Sequence, residues 1–267
     1  MFPGADATRD EAAYALVGAP LDASTSFEPG ARFGPDRVRR YAEHFDDYDH
    51  RTGQHFSALS VYDHGDIGPT ADADEYLTFV ESALSEFRDA GAVPMLVGGE
   101  HTVTVAGVRA VDPDVFVCLD AHLDLRESYA GDPLSHATVT RHALEVADEA
   151  VVLGARTGNE AEWERASESD VTVVPPEDVA DWSPGFDDRS VYLSVDVDGF
   201  DPAHAPGTGT KEPFGLTPRE GRRVVADVAP LADGFDAVEV NDRDDGQSAV
   251  LAAKLIREFV YRHATDG

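Results

Sequence analysis

The chain has 267 residues, of which 52 are acidic and 21 are lysine or arginine, so its formal net charge is -31. This charge argues against nucleic acid or an anionic membrane surface as a partner, because both would repel the protein. Since 42% of the residues are hydrophobic, the composition favours a folded, halophilic protein whose surface charge is screened at high salt.

The chain carries one cysteine, Cys118, which excludes an intrachain disulfide and a cysteine-based zinc site. Its apolar neighbours predict a small buried side chain. The first eleven residues lack a basic region followed by an apolar stretch, so we expect no signal peptide. No apolar stretch reaches the length of a membrane span. We therefore expect a cytoplasmic protein without a membrane partner.

Apolar strands and helices are predicted to alternate along the chain. Short apolar runs predict strands at residues 14–18, 59–62, 93–97, 115–119, 151–155, 171–174, 191–197 and 235–240. Helical spacing, proline-led first turns and a capping box predict helices at residues 35–41, 74–90, 100–110, 134–147, 160–169, 217–231 and 247–263. The alternation predicts an α/β fold with a mostly parallel sheet and helices on both faces, formed by a single domain over residues 1–267.

Three of the predicted strands end in carboxylate or imidazole side chains. In chain order these are His101 after the strand 93–97, then Asp120, His122 and Asp124 after the strand 115–119, and Asp196 and Asp198 at the end of the strand 191–197. Carboxylates packed beside an imidazole lose solvation and repel one another unless cations neutralise them. The alternation at residues 120–124 alone is equally compatible with an N-capping aspartate and a surface histidine. Three such strand ends favour a metal site, because binding sites lie at that edge of open α/β sheets.

These motifs, in this order, resemble those of the ureohydrolase family, the arginases and agmatinases. The matching blocks are Gly98-Gly99-Glu100-His101, Asp120-Ala121-His122-Leu123-Asp124 and Ser194-Val195-Asp196-Val197-Asp198-Gly199-Phe200-Asp201-Pro202, with support from residues 29–35, 135–136 and 205–210. The resemblance covers nearly the whole chain. It implies an arginase-like, three-layer α/β/α sandwich with two Mn²⁺ ions per chain, which hydrolyses a guanidino group to urea. Family members are commonly trimers or hexamers, so we expect a homo-oligomer.

The resemblance also implies the metal ligands. His101 and Asp124 would both bind the first ion, and His122 and Asp198 would both bind the second. Asp120 and Asp196 would bridge the two ions. An oxygen-rich set of ligands without thiolates suits manganese better than zinc. Two ions that share a water molecule would lower its pKa toward neutrality, and the resulting hydroxide would attack the guanidinium carbon.

Three further residues have roles implied by the resemblance. Glu239, near the end of the last strand, would bind the guanidinium, for which a carboxylate is the best partner. His136 would give a proton to the leaving amine, since imidazole titrates in the right range; otherwise it is a surface histidine at the start of a helix. Thr210 is a candidate contact of the guanidino group. The family often has proline three residues after this glutamate, whereas this chain has Asp242. We therefore expect the loop after Glu239 to differ in conformation from that of the family.

The loops near these residues favour agmatine as the substrate, cleaved to putrescine and urea as in polyamine biosynthesis. Arginases usually hold the amino-acid head group with Asn and Ser in the loop after the first aspartate cluster. Here that loop carries Glu127 and Asp132, which would repel a carboxylate and attract the ammonium of agmatine. Alternatives are the hydrolysis of aminopropylagmatine, arginine or a guanidino acid, a related one-zinc deacetylase, and a non-enzymatic acidic protein with a structural metal.

Overall fold

A computed structural model describes residues 1–70, 72–241 and 243–266 of the chain. Within these residues, eight strands form one sheet and two short strands form a separate antiparallel hairpin. The strands are β1 (Tyr14–Ala19), β2 (Tyr48–Asp49), β3 (Gln54–His55), β4 (Val61–Asp66), β5 (Val93–Gly98), β6 (Val115–Leu119), β7 (Glu149–Leu153), β8 (Val171–Val174), β9 (Val191–Asp196) and β10 (Ala232–Val238). The order in the large sheet is β4-β1-β5-β10-β9-β6-β7-β8, and each neighbouring pair is parallel. The predicted parallel sheet is confirmed.

Helices cover both faces of this sheet. They are α1 (Gly34–Ala42), α2 (Ala73–Asp89), α3 (Thr104–Val111), α4 (Val139–Ala143), α5 (Glu160–Arg165), α6 (Pro176–Val179), α7 (Pro218–Val228) and α8 (Gln247–Asp266). Helices α2, α3 and α4 pack on one face, and α1, α7 and α8 pack on the other. This arrangement is the expected three-layer α/β/α sandwich. None of the described helices combines the length and apolarity that a membrane crossing requires.

Strand β6 shows how the two cores arise from one apolar run. Val115, Val117 and Leu119 belong to the core beneath α1, α7 and α8, whereas Phe116 and Cys118 belong to the core beneath α2, α3 and α4. Successive side chains point to opposite faces of a strand. Since both faces are covered, every position must be apolar, as in buried parallel sheets. Cys118 is a buried free cysteine, as predicted.

Several predicted boundaries differ from those in the structure, and two of the differences have a clear local cause. The helix predicted at residues 134–147 is a single turn of 3-10 helix, His136–Thr138, followed by the short α4. Its start is fixed by a capping box between Ser135 and Thr138. The last strand stops at Val238 because Glu239 has a left-handed backbone conformation with φ of 62°, which a strand cannot contain.

The strand order brings the predicted site residues together. Strands β5, β10, β9 and β6 are consecutive neighbours at the centre of the sheet. Because they are parallel, their carboxyl ends meet at one edge, where the strand order also reverses direction along the chain. In register, Asp196 pairs with Val238, and Leu119 pairs with Val195. The residues directly after β5, β6, β9 and β10 therefore share one site.

The turn that leads from β5 to His101 depends on Gly99. The N–H of Gly99 donates to the carbonyl of Ala19 over 2.7 Å, and its carbonyl accepts from the N–H of Glu239 over 2.8 Å. A Cβ atom at this position would lie 1.9 Å from the carbonyl oxygen of Leu21. Any side chain here would thus push apart the backbones that place the site.

We expect Gly99→Ala to lower the free energy of unfolding by about 1–3 kcal/mol, as overpacking against fixed backbone does. Gly68→Ala is the control, because no heavy atom lies within 4 Å of its added Cβ, and we expect a change within about 0.5 kcal/mol. Denaturant unfolding of both variants at constant salt measures the difference. Equal stabilities would contradict the role given to the turn.

Candidate metal centre

The first group of predicted ligands surrounds one nitrogen of His101. Its Nδ1 lies 2.9 Å from Oδ2 of Asp124 and 3.2 Å from Oδ2 of Asp120. Oδ2 of Asp196 is 3.4 Å from the same nitrogen. All four side chains are nearly inaccessible to solvent. One imidazole nitrogen and three carboxylate oxygens therefore converge in a buried space.

The second group adjoins the first and includes His122. Its Nδ1 lies 3.0 Å from Oδ2 of Asp198 and 3.4 Å from Oδ1 of Asp120. Asp120 thus presents one oxygen to each histidine, which is the arrangement a bridging carboxylate requires. Thr210 borders this group, since its hydroxyl donates to Oδ2 of Asp198 over 3.2 Å. The six predicted ligands are brought together.

Burial makes the negative charge of this cluster costly. It raises the pKa of Asp124 to about 7, with the charge of Asp120 acting in the same direction. Burial, together with the charges of Asp198 and Asp120, raises the pKa of Asp196 well above its ordinary value. The pKa of His122 is also raised, because Asp198 and Asp120 outweigh its burial. The cluster therefore retains protons that a cation could replace.

The donor atoms fit divalent cations. Nδ1 of His101 is buried and has no hydrogen-bond partner within the described residues, although carboxylate oxygens surround it. An orphaned buried nitrogen of this kind is costly unless a ligand satisfies it. Four carboxylates and two imidazoles form a hard, oxygen-rich set that suits manganese or similar ions. These six residues could hold two such ions.

A chain of hydrogen bonds behind His101 fixes its orientation. The hydroxyl of Ser194 donates to Oδ1 of Asp236 over 2.6 Å and lies 3.3 Å from Nε2 of His101. Tyr192 donates to the other oxygen of Asp236 over 2.9 Å. Since the serine proton is used on Asp236, Nε2 donates to the serine oxygen, and Nδ1 is the nitrogen that faces the cluster and that a cation could bind. This role of Asp236 was not predicted from the sequence, although an aspartate within an apolar strand indicates a buried carboxylate that needs hydrogen-bond partners.

Glu239 lies beside the cluster. Its Oε1 accepts the backbone N–H of His101 over 2.8 Å, and the side chain lines the cavity above the ligands. Burial raises the pKa of Glu239 to about 8. A cation in the cavity would lower that pKa, because it favours the ionised carboxylate. Asp242 lies outside the described residues.

The cavity above the cluster has a volume of about 330 Å³ and contains His136 in its wall. Nδ1 of His136 lies 2.9 Å from the hydroxyl of Ser24. The ring of Tyr129 meets the imidazole edge-on, with 5.0 Å between ring centroids. Burial lowers the pKa of His136. It is thus a half-buried cavity residue rather than a surface histidine.

The acidic residues in the outer wall are not those predicted from the sequence. Among the described residues, Glu127 and Asp132 do not line this cavity, whereas Glu162 and Glu212 do. The turn that contains Asp132 is closed on itself, with its carboxylate accepting the N–H of Leu134. The expected placement of these two acids beside the substrate is therefore wrong, although the wall is acidic.

Arg156 joins the cluster to the cavity wall and was not predicted from the sequence. Its guanidinium donates to six backbone carbonyls, those of Gly154, Asp198, Gly199, Phe200, Glu212 and Pro213. The shortest of these bonds, 2.7 Å, reaches Glu212. No local motif signals such a residue, because its partners lie up to 57 positions away.

Comparison with known proteins identifies the family. A sequence model of the arginase family matches residues 12–261. The chain belongs to the arginase family. It is 34% identical to an agmatinase of Bacillus anthracis, over 94% of this chain and 92% of that protein. It is 36% identical to an N(1)-aminopropylagmatine ureohydrolase of Thermococcus kodakarensis, over 92% of this chain and 89% of that protein.

A solved structure shares both fold and sequence with this arginase-family chain. The agmatine ureohydrolase of Thermoplasma volcanium superposes with a TM-score of 0.92 at 35% identity, covering 99% of this chain and 94% of that one. The predicted resemblance is therefore confirmed, and so are the arginase-like fold and the assignment to the ureohydrolase class of enzymes.

The raised carboxyl pKa values predict how the stability of the metal-free protein depends on pH. Asp124 and Glu239 titrate at about 7 and about 8 in the folded chain, against about 4 in an unfolded one. Between pH 5 and 8 the folded state thus binds more protons than the unfolded state. Its free energy of unfolding should fall as pH rises.

Denaturant unfolding of the chelated protein at several pH values in this range measures the effect. Glu239→Gln is the control, because its amide does not titrate and the slope with pH should be shallower. Divalent cations should restore stability most strongly at pH 8, where they displace the fewest protons. A metal-free protein that gains stability from pH 5 to 8 would contradict this prediction.

Proposed function

We propose that this chain is an agmatinase, which hydrolyses agmatine to putrescine and urea with two Mn²⁺ ions. The main support is the buried cluster of four carboxylates and two imidazoles at the base of an acidic cavity. In this proposal a single domain carries the whole site.

The six clustered side chains would hold the ions. His101 and Asp124 would bind one, His122 and Asp198 the other, and Asp120 and Asp196 would lie between them. Four carboxylates carry as much negative charge as two divalent cations carry positive charge, so the buried site would be neutral. When bound, the ions would supply an activated water for attack on the guanidinium carbon at neutral pH.

Glu239 would bind the guanidinium beside the cluster. One of its oxygens is held by the N–H of His101, which fixes the carboxylate and leaves the other oxygen for the substrate. The arriving cation would favour the ionised form of a carboxyl group whose pKa is otherwise about 8. Thr210, which already donates to Asp198, would lie near the same group.

His136 would protonate the leaving amine. It lies in the cavity wall without being one of the clustered ligands. Burial lowers the pKa of His136, which makes its imidazolium a stronger proton donor and also lowers the fraction of the ring that is protonated at neutral pH. Tyr129 packs edge-on against the ring.

The outer wall suits the ammonium of agmatine. Arg126 is already paired with Glu162, with 3.0 Å between Nε and Oε2, and its guanidinium lies over the ring of Tyr129. Glu212 lines the same cavity, and in the described part of the chain its carboxylate makes no hydrogen bond or ion pair. An α-carboxylate placed there would lose solvation without a free cation to replace it, whereas an ammonium would find a partner.

Urea release in the presence of Mn²⁺ tests this substrate assignment. We expect kcat/KM for agmatine to exceed that for arginine by more than about tenfold, the cost of desolvating an unpaired carboxylate. Aminopropylagmatine and guanidino acids complete the series. Comparable values for arginine and agmatine, or a preference for a guanidino acid, would contradict the proposal. A preference for aminopropylagmatine would make that longer compound, rather than agmatine, the assigned substrate.

Glu212→Gln tests the same assignment from the protein side. We expect kcat/KM for agmatine to fall about tenfold, with little change for butylguanidine, which lacks the ammonium. Glu127→Gln removes an equal charge outside this cavity and serves as the control. Equal losses for both substrates in the Glu212 variant would show a structural effect instead.

Asp120→Asn tests the proposed metal site. An amide cannot bridge two cations as a carboxylate does, so we expect the variant to lose metal and turnover. The fall in turnover should exceed the loss of about 10–100-fold that follows when a residue hydrogen-bonded to a metal ligand is removed. Asp178→Asn, an exposed residue of α6, is the matched control. Elemental analysis should find two manganese ions per wild-type chain. One zinc would favour the deacetylase alternative, and no metal a non-enzymatic protein.

A further inference from the structure

Glu100 is a buried carboxylate in the turn before His101, yet it accepts hydrogen bonds from a different loop. Only 1% of the residue is exposed. Its Oε2 accepts the backbone N–H groups of Ala23 and Ser24 over 2.6 and 2.7 Å. Its Oε1 accepts the hydroxyls of Ser24 and Thr102 over 2.9 and 2.7 Å. Four donors fill both oxygens, as expected for an ionised carboxylate, which only accepts.

Ser24 connects this carboxylate to His136. Its hydroxyl oxygen lies 2.9 Å from Nδ1 of His136 and accepts the backbone N–H of the same residue over 3.0 Å. A serine hydroxyl has one proton, and the charged oxygen of Glu100 is the stronger acceptor for it. The hydroxyl oxygen is then an acceptor toward the imidazole, so Nδ1 must carry a proton.

We infer that Glu100 and Ser24 are positioning residues that hold His136 in the tautomer with its proton on Nδ1. Nε2 is thereby left as the ring nitrogen that exchanges a proton with the substrate. This inference rests on the proposed function, in which His136 is the general acid. It assigns a role to two residues that contact neither the clustered carboxylates nor, in the proposal, the substrate.

The proton balance agrees with this tautomer. When the C–N bond of the substrate breaks, its electron pair stays on the amine nitrogen, which takes the Nε2 proton of the imidazolium. The imidazole that remains carries its proton on Nδ1, the form that Ser24 accepts from. A water molecule then returns a proton to Nε2, and the hydroxide that remains replaces the one consumed in the attack on the guanidinium carbon. No rotation of the ring is needed during the cycle, whereas the other tautomer would break the bond to Ser24.

The arrangement also compensates for burial of the ring. Burial lowers the pKa of His136, and the negative charge of Glu100 acts in the opposite direction. A carboxylate in direct contact would bind the imidazolium strongly, but Glu100 acts across one hydroxyl. The ring is thus oriented while its proton stays transferable, in the way that outer partners orient functional histidines.

Ser24→Ala tests the link to His136. We expect kcat for agmatine to fall about 10–100-fold, with KM changed by less than about threefold and metal content unchanged. Ser24→Thr keeps the hydroxyl and should restore most of kcat. Thr102→Val removes another hydroxyl from the same oxygen of Glu100 without touching His136, and should cost less than Ser24→Ala.

A double-mutant cycle separates positioning from a merely structural role. In a His136→Ala background, Ser24→Ala should have no further effect on kcat, because the residue it acts through is gone. Effects that multiply independently would overturn the inference. Comparable losses in Ser24→Ala and Thr102→Val would overturn it as well.

A second measurement does not depend on the substrate. ¹⁵N NMR of histidine-labelled protein, loaded with a diamagnetic divalent cation, reports which ring nitrogen of His136 is protonated, with His136→Ala giving the assignment. We expect a protonated Nδ1 in the wild type and in Ser24→Thr, and loss of that preference in Ser24→Ala. A wild-type ring with a bare Nδ1 overturns the inference. If agmatine is not hydrolysed at all, the proposed function fails while this result still decides the tautomer.

Discussion

The burial of four carboxylates at the centre of the sheet is the constraint on which the site depends. Each must be oriented before any cation arrives, and backbone N–H groups hold three of them. Asp120 accepts from His122, Asp196 from the N–H of Asp198, and Asp198 from Ala121. Asp196 and Asp198 each have one oxygen fixed to the backbone and the other facing the cluster. In Asp120 the oxygen that accepts from the backbone also faces the imidazole of His122. Charge-assisted hydrogen bonds of this kind are among the strongest available for such a task.

The same constraint explains two unusual backbone conformations. Asp124 and Glu239 both have positive φ, at 51° and 62°, which costs of order 1–3 kcal/mol for a residue other than glycine. Each is held by a backbone hydrogen bond from outside its own strand, Arg141 to the carbonyl of Asp124 and the N–H of Glu239 to Gly99. At Glu239 the left-handed conformation ends β10 and redirects the side chain, whereas Asp124 lies in the loop after β6.

The sheet and the carboxylates and imidazoles clustered at its edge could be predicted from the sequence because both are local patterns. An apolar run marks a buried strand, and parallel strands bring the residues at their carboxyl ends to one edge. The boundaries that were misplaced depend on single residues, such as the capping box at Ser135 and the left-handed Glu239. The residues that were missed have partners distant in sequence: Arg156 binds carbonyls in the loop at 212–213, and Ser24 contacts a histidine 112 positions away. Spacing in a sequence does not report contacts of that kind.

The wall of the cavity is acidic, as predicted, but Glu162 and Glu212 line it instead of Glu127 and Asp132. The chain has 52 acidic residues against 21 lysines and arginines, so almost any loop that lines a cavity contains carboxylates. An acidic cavity wall alone therefore says little about which substrate is bound. What distinguishes one carboxylate from another is whether it is already paired. Glu162 is held by Arg126, whereas the described residues supply no partner for the Glu212 carboxylate. At molar salt the Debye length is about 3 Å, so the surface charge as a whole would steer a cation weakly. In the proposed function, recognition of an ammonium would fall to a carboxylate that meets it in direct contact within the cavity, and Glu212 lines that cavity.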